Sequence, residues 1–129
     1  MRNMFFFLFV STILWGCKKD ADPIAELNKK LTNGSTRTWK LNKLFINSSQ
    51  QTLSPAQLLY TKTFNKNGNW NDSDGYSGTF KIETTKTLKE TTTVGGSGSI
   101  TYTINLLNDT QLDIQYSFNQ QTYRFVYVL

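Results

Sequence analysis

Three segments in the last third of the chain alternate between apolar and polar side chains at every second residue. In the first, Ile100, Tyr102, Ile104 and Leu106 alternate with Ser99, Thr101, Thr103 and Asn105. In the second, Leu112, Ile114, Tyr116 and Phe118 alternate with Gln111, Asp113, Gln115 and Ser117. In the third, Tyr123, Phe125 and Tyr127 alternate with Arg124, Val126 and Val128. Successive side chains of a strand point to opposite faces, so a period of two marks strands with one packed face and one wet face. Asn108-Asp109 and Gln120-Gln121 supply the intervening turns. The pattern commits this part of the chain to antiparallel sheet.

The same period begins at Arg37. Trp39, Leu41 and Lys43 alternate with Lys40, Asn42 and Leu44 in a first strand that runs to Asn47. Ser54-Pro55-Ala56-Gln57 reads as one capped helical turn. Leu58 to Asn65 reads as a second strand, turned at Asn67-Gly68 by a two-residue hairpin loop into a third at Asn69 to Asn71. Asp72-Ser73-Asp74-Gly75 is a further turn. Tyr76 to Thr84 is a fourth strand with Phe80 and Ile82 inward. Thr87 to Val94 is a fifth, poor in apolar residues and expected near an edge. Gly95-Gly96-Ser97-Gly98 is a loop. Eight short strands joined by tight turns predict an all-β fold, a small up-and-down antiparallel barrel whose closure removes its edges. A two-sheet β-sandwich is the alternative geometry. Ahead of the strands, Asp22-Pro23 opens a short helix. Ile24, Leu27 and Leu31 share one of its faces, and Asn33-Gly34 stops it. The helix is expected to cover one end of the sheet structure.

Residues 1–16 read as an address and not as part of the fold. Arg2 precedes an apolar stretch of Phe5, Phe6, Phe7, Leu8, Phe9, Val10, Ile13, Leu14 and Trp15, broken by Ser11 and Thr12. It is shorter than the ~20 residues a membrane-crossing helix needs and has the layout of a secretory signal peptide. Its end, Leu14-Trp15-Gly16-Cys17, resembles the lipobox of bacterial lipoproteins. That resemblance implies cleavage between Gly16 and Cys17 and lipidation of the Cys17 thiol. Trp15 stands where that family prefers a small residue. Two or three acyl chains hold a protein stably at a membrane, whereas one does so only marginally. Lys18, Lys19, Asp20 and Asp22 resemble the export tag of Bacteroidetes surface lipoproteins. The implied location is the outer membrane, lipid-anchored and facing the cell surface, with a periplasm-facing anchor as the alternative. Residues 17–23 would then be a tether and 24–129 the barrel domain.

Composition removes several kinds of chemistry. The chain has no His and one Cys, so Ser-His-Asp and Cys-His mechanisms, an intrachain disulfide and Cys-rich zinc sites are excluded. No enzyme activity, metal site or cofactor is expected. Asp72 to Gly75 does not make an EF-hand loop, because Trp70 and Lys81 would occupy positions that need oxygen ligands. Glu83 and Glu90 read as solvated strand residues. Net charge is +5, but Lys62, Lys66, Lys81, Lys86 and Lys89 are scattered among Thr, Asn and Glu. The excess reads as solubility and not as a nucleic-acid surface.

Two further segments carry a resemblance. Leu31-Thr32-Asn33-Gly34-Ser35-Thr36-Arg37-Thr38-Trp39-Lys40-Leu41 resembles the opening of the lipocalin-like lipoprotein family of Bacteroidetes, with its helix, Gly-Ser loop, basic residue, Trp and first strand. Phe64-Asn65-Lys66-Asn67-Gly68-Asn69-Trp70 and Gly78-Thr79-Phe80-Lys81-Ile82 are similar to that family's hairpin and following strand. The hairpin lacks the family's Asp, and Phe80 replaces its more usual Trp. The resemblance implies a barrel with an interior site. Independently of it, Trp39 is placed to close the barrel base against the helix, with Arg37 stacked near its indole. The residues expected inside are Trp39, Tyr60, Phe64, Trp70, Phe80, Tyr102, Tyr116, Phe118, Tyr123, Phe125 and Tyr127. They either line a site for a small apolar ligand, with Tyr hydroxyls as polar handles, or fill the interior of a structural module that docks an envelope protein.

Overall fold

A computed structural model describes residues 20–129. The expected signal peptide, the Gly16-Cys17 junction, Lys18 and Lys19 lie outside the described residues. Helix α1 (Pro23–Thr32) comes first, followed by β1 (Thr36–Ile46), β2 (Ser49–Gln51), the single turn α2 (Pro55–Leu58), β3 (Thr61–Asn65), β4 (Asn69–Asp72), β5 (Ser77–Thr84), β6 (Thr87–Val94), β7 (Gly98–Leu107), β8 (Gln111–Phe118) and β9 (Gln121–Val128). Each strand pairs antiparallel with its neighbour, and β1 pairs with β9. The result is a closed eight-stranded barrel with β2 added as one extra strand. The barrel is the geometry present, and the sandwich is not. Among the described residues no helix is long and apolar enough to cross a membrane.

The helix forms as the sequence requires. The Asp22 side chain accepts from the Ile24 N–H at 3.0 Å, Pro23 occupies the first turn, and Asn33 ends the helix in the left-handed region at φ 54°. Leu31 is fully buried, and Ile24 and Leu27 pack against the core. The indole Nε1 of Trp39 donates to the Leu31 carbonyl at 2.9 Å. Arg37 lies over the Trp39 ring at 5.4 Å and donates to the carbonyls of Lys30 (2.7 Å) and Asp109 (3.2 Å) and to Asn33 Oδ1 (3.0 Å). The last carbonyls of α1, which have no helical partner of their own, are thereby tied to the first barrel strand. This end is shut.

Several expectations are corrected. The second barrel strand begins at Thr61 and not Leu58, because the capping box of Ser54 and Gln57 carries the helical turn through Leu58. The Asn67-Gly68 loop has three residues, Lys66 to Gly68, with Gly68 at φ 88°. The last hairpin turns at Asn119-Gln120, both at positive φ, one residue earlier than expected. Strand β2 was not foreseen; Asn47 and Ser48 take the same double positive-φ turn into it, a conformation usually signalled by Gly at the second position. Strand β6 is no edge, since it pairs with both β5 and β7.

Two bulges reverse the alternation. The β1–β9 register shifts between Leu41 and Lys43, so Lys43 turns out and Leu44 becomes buried. The β7–β8 register shifts between Ile104 and Leu106. Leu106 is consequently 42% exposed and Leu107 buried. An inserted residue flips every later side chain to the other face.

Candidate functional site

The barrel interior divides into halves. Toward α1, Trp39, Phe64, Leu88, Leu112 and Ile114 have no exposed surface. Phe64 meets Phe80 edge to face at 5.0 Å. Away from α1 the interior becomes aromatic and polar. Tyr123 and Tyr116 stack at 5.3 Å, Tyr116 and Phe125 at 6.2 Å, and Phe125 and Tyr127 at 6.3 Å. Tyr60 approaches Tyr127 at 6.4 Å. These rings form a row along the inner wall of β8 and β9.

Lys62 of β3 and Glu90 of β6 face each other across this half. Lys62 Nζ donates to Glu90 Oε2 at 2.7 Å, and their side chains are only 6% and 4% exposed. The ammonium also lies 4.6 Å from the Trp70 ring and 5.7 Å from the Tyr102 ring. It is therefore held by one carboxylate and two aromatic faces. Neither residue is the solvated strand residue that the sequence suggested. Glu83, Lys66, Lys81, Lys86 and Lys89 are exposed as expected. The signal for the buried pair was present: Lys62 is two residues from inward Phe64, and Glu90 two from inward Leu88.

Among the described residues two buried polar atoms have no hydrogen-bond partner, Glu90 Oε1 and Trp70 Nε1. Such orphans are uncommon in folded proteins, because each costs the desolvation of an unpaired group. They stand in the same half as a cavity of about 230 Å³ lined by Leu41, Gln57, Tyr60, Lys62, Asp74, Tyr102, Phe125 and Tyr127. At about 30 Å³ per water in the liquid, its volume equals seven to eight waters. Its mouth carries the Asp72 turn. Asp72 Oδ1 accepts from the N–H groups of Asp74 (3.0 Å) and Tyr76 (2.9 Å), and Oδ2 from the Tyr60 hydroxyl (3.0 Å). The turn reading of Asp72 to Gly75 is thus right. Among the described residues no cluster of acidic or Cys side chains is placed to hold a metal ion.

Burial raises the pKa of the hydroxyls of Tyr60, Tyr102 and Tyr127 well above the ordinary phenol range. The Glu90 charge adds to this at Tyr102 and Tyr127. All three remain neutral and act as hydrogen-bonding handles on apolar rings.

A second opening lies in the wall beside this row. Strands β7 and β8 pair only from Thr103 to Leu107 and from Leu112 to Gln115. Beyond that they part, leaving a cleft of about 410 Å³ lined by Ser99, Ile100, Thr101, Tyr116, Ser117 and Phe118. The Tyr102–Tyr116 edge-to-face contact at 5.5 Å separates it from the interior.

The expected interior residues therefore fall into separate places. Trp39, Phe64 and Phe80 are packed core. Trp70, Tyr102, Phe125 and Tyr127 surround the polar cavity or its ion pair, with Tyr116 and Tyr123 continuing the row. Phe118 is not interior; it is 60% exposed at the end of β8, where no β7 residue covers it. Asp20 is exposed, and Asp22 serves as the helix cap. Comparison of the chain with protein-family models, with curated proteins and with solved structures finds no match.

Proposed function

We propose that this chain is a lipid-anchored cell-envelope protein whose barrel binds a small, partly apolar ligand in the half away from α1. The observation that carries the reading is the cavity over Lys62, Tyr102, Phe125 and Tyr127, backed by the buried Glu90 with one unpartnered oxygen. A core selected for stability alone gains little from a buried ion pair, which apolar residues of like size often match or better. A binding site gains orientation from it. The volume lies below the ~300 Å³ lower end of drug-sized pockets, which favours a metabolite over a full-length fatty acid. The lipocalin-like resemblance agrees with an interior site. The anchor rests on Arg2, the apolar run and Gly16-Cys17. A filled, ligand-free structural module fits the α1 half but leaves the orphaned atoms of the other half unexplained.

The test is thermal-shift screening of the purified chain against lipids, haem-like compounds and aromatic metabolites. A hit should raise the unfolding midpoint in wild type and lose its effect in Phe125→Ala. Silence across the panel would contradict the binding reading. For the address, Cys17→Ser should leave the membrane fraction and take up no palmitate label; retention of both would contradict it.

A further inference from the structure

Two tyrosines of the cavity wall carry hydroxyls that the fold does not use. Tyr102 and Tyr127 are 6% and 3% exposed, and both line the cavity. Among the described residues the hydroxyls of Tyr60 and Tyr123 hydrogen-bond, to Asp72 at 3.0 Å and to Gln121 at 2.6 Å, whereas those of Tyr102 and Tyr127 do not. Nor do they share the position of Glu90 Oε1 and Trp70 Nε1, the unpartnered atoms sealed from water. The two hydroxyls therefore keep some accessible surface, and the cavity is the space that both residues border. They also converge. Beyond burial, and the Glu90 charge at Tyr102, the nearby Tyr127 hydroxyl further raises the pKa of both Tyr60 and Tyr102. A nearly buried hydroxyl without a partner costs stability. Phe64, Phe80 and Phe125 show that this barrel takes Phe where a ring alone is needed.

The rest of the lining sets the polarity. Gln57 spends its Oε1 on the Ser54 N–H at 2.9 Å, which leaves its amide N–H groups to face a ligand. Lys62 is a donor only, and a Tyr hydroxyl can turn to donate. Asp74, the one carboxylate of the lining, is exposed to solvent. What this wall lacks is an acceptor. Charge narrows the choice further. Lys62 is already matched by Glu90 at 2.7 Å, a residue outside the lining. An added anion would have no second ammonium to balance it, and an added cation would meet Lys62 with only the water-screened Asp74 to attract it.

Resting on the reading that the cavity binds a small ligand, we infer that the ligand is uncharged and carries a carbonyl oxygen, which accepts from the Tyr102 and Tyr127 hydroxyls while its apolar ring lies against Leu41 and Phe125. The volume of about 230 Å³ holds a single ring with a short substituent and not an acyl chain.

Four near-isosteric probes separate the outcomes: acetophenone, apolar 2-phenylpropene, anionic benzoate and cationic benzamidine, each titrated calorimetrically into the purified full chain. Acetophenone should bind about three- to tenfold tighter than 2-phenylpropene, the effect of one hydrogen-bonded oxygen. It should bind at least about tenfold tighter than either charged probe, which must give up its hydration. The double variant Tyr102→Phe/Tyr127→Phe keeps both rings and removes only hydroxyls that bond to nothing in the fold, so it should be no less stable than wild type. Its acetophenone affinity should fall to that of 2-phenylpropene, whose own affinity holds. Equal or tighter binding of any isostere by wild type overturns the carbonyl assignment and leaves the small-ligand reading standing. So does a double variant that keeps the acetophenone preference, or one that loses stability, since its hydroxyls would then serve the fold. If none of the four binds, the carbonyl assignment falls. The small-ligand reading falls with it only if the broader thermal-shift panel is silent too.

Discussion

The two halves of the barrel are built from the same strands and obey different physics. Toward α1 the interior is a solid apolar plug: Trp39, Phe64, Leu88, Leu112 and Ile114 are fully buried, and the one indole N–H there is satisfied by Leu31. Away from α1 the strands enclose an ion pair, a row of tyrosines, two orphaned polar atoms and a cavity of about 230 Å³. The first half is organised for stability and the second carries polar burial that stability does not require. The difference teaches that a small closed barrel can bury polar groups beyond the layer that seals it.

The largest break in the comparison is expected at the plug. Trp39→Ala removes the largest fully buried side chain and its bond to α1. It should destabilise the fold by about 3–5 kcal/mol, read by denaturant unfolding. A loss below about 1 kcal/mol would mean that α1 and Trp39 do not close the barrel.

The ion pair comes next, and its sign is diagnostic. Glu90→Leu alone strands the Lys62 ammonium and should cost about 3–5 kcal/mol. Lys62→Met/Glu90→Leu together should be neutral, or stabilising by up to about 4 kcal/mol, while abolishing ligand binding. A double variant as unstable as the single would show that the pair serves folding.

How much of this was legible depends on the period of two. The three C-terminal strands, the capped helix and the roles of Trp39 and Arg37 follow from spacing and residue chemistry, because a half-wet strand must alternate and a cap must accept hydrogen bonds. The bulges at Asn42 and Asn105 did not announce themselves. One inserted residue has no compositional mark, yet it sent Lys43 and Leu106 outward and Leu44 and Leu107 inward. Lys62 and Glu90 were misread for another reason. Single charges on a strand are usually solvated, and only their parity with Phe64 and Leu88 places them inside. Their pairing across β3 and β6 exists only once the barrel closes.

A smaller effect separates interior from exterior. On the outer face, Asp113 accepts from Arg124 Nε at 2.9 Å and Nη2 at 2.6 Å and from Asn105 at 3.0 Å. Burial pushes the Asp113 pKa up, but the bonds from Arg124 and Asn105 outweigh it and hold the carboxyl below its ordinary value. A lowered folded pKa stabilises above the ordinary carboxylate range, about pH 4, and that stability is lost as pH falls through the folded value. Asp113→Asn should cost about 1.5–3 kcal/mol at neutral pH and flatten the loss of stability below about pH 4. An unchanged acid profile would mean that the Arg124 pair contributes nothing. The smallest effect is Phe118→Ser, which should change stability by less than about 0.5 kcal/mol, since the ring is already exposed; a larger loss would return Phe118 to the core.

The division between the halves is tested most directly by NMR titration of the chain with the strongest hit of the thermal-shift panel, following aromatic and Lys side-chain signals. The account predicts saturable shifts at Lys62, Tyr102, Phe125 and Tyr127, with Trp39 and Phe64 unmoved. Shifts spread evenly through both halves, or none at the four cavity residues at saturating ligand, would contradict it.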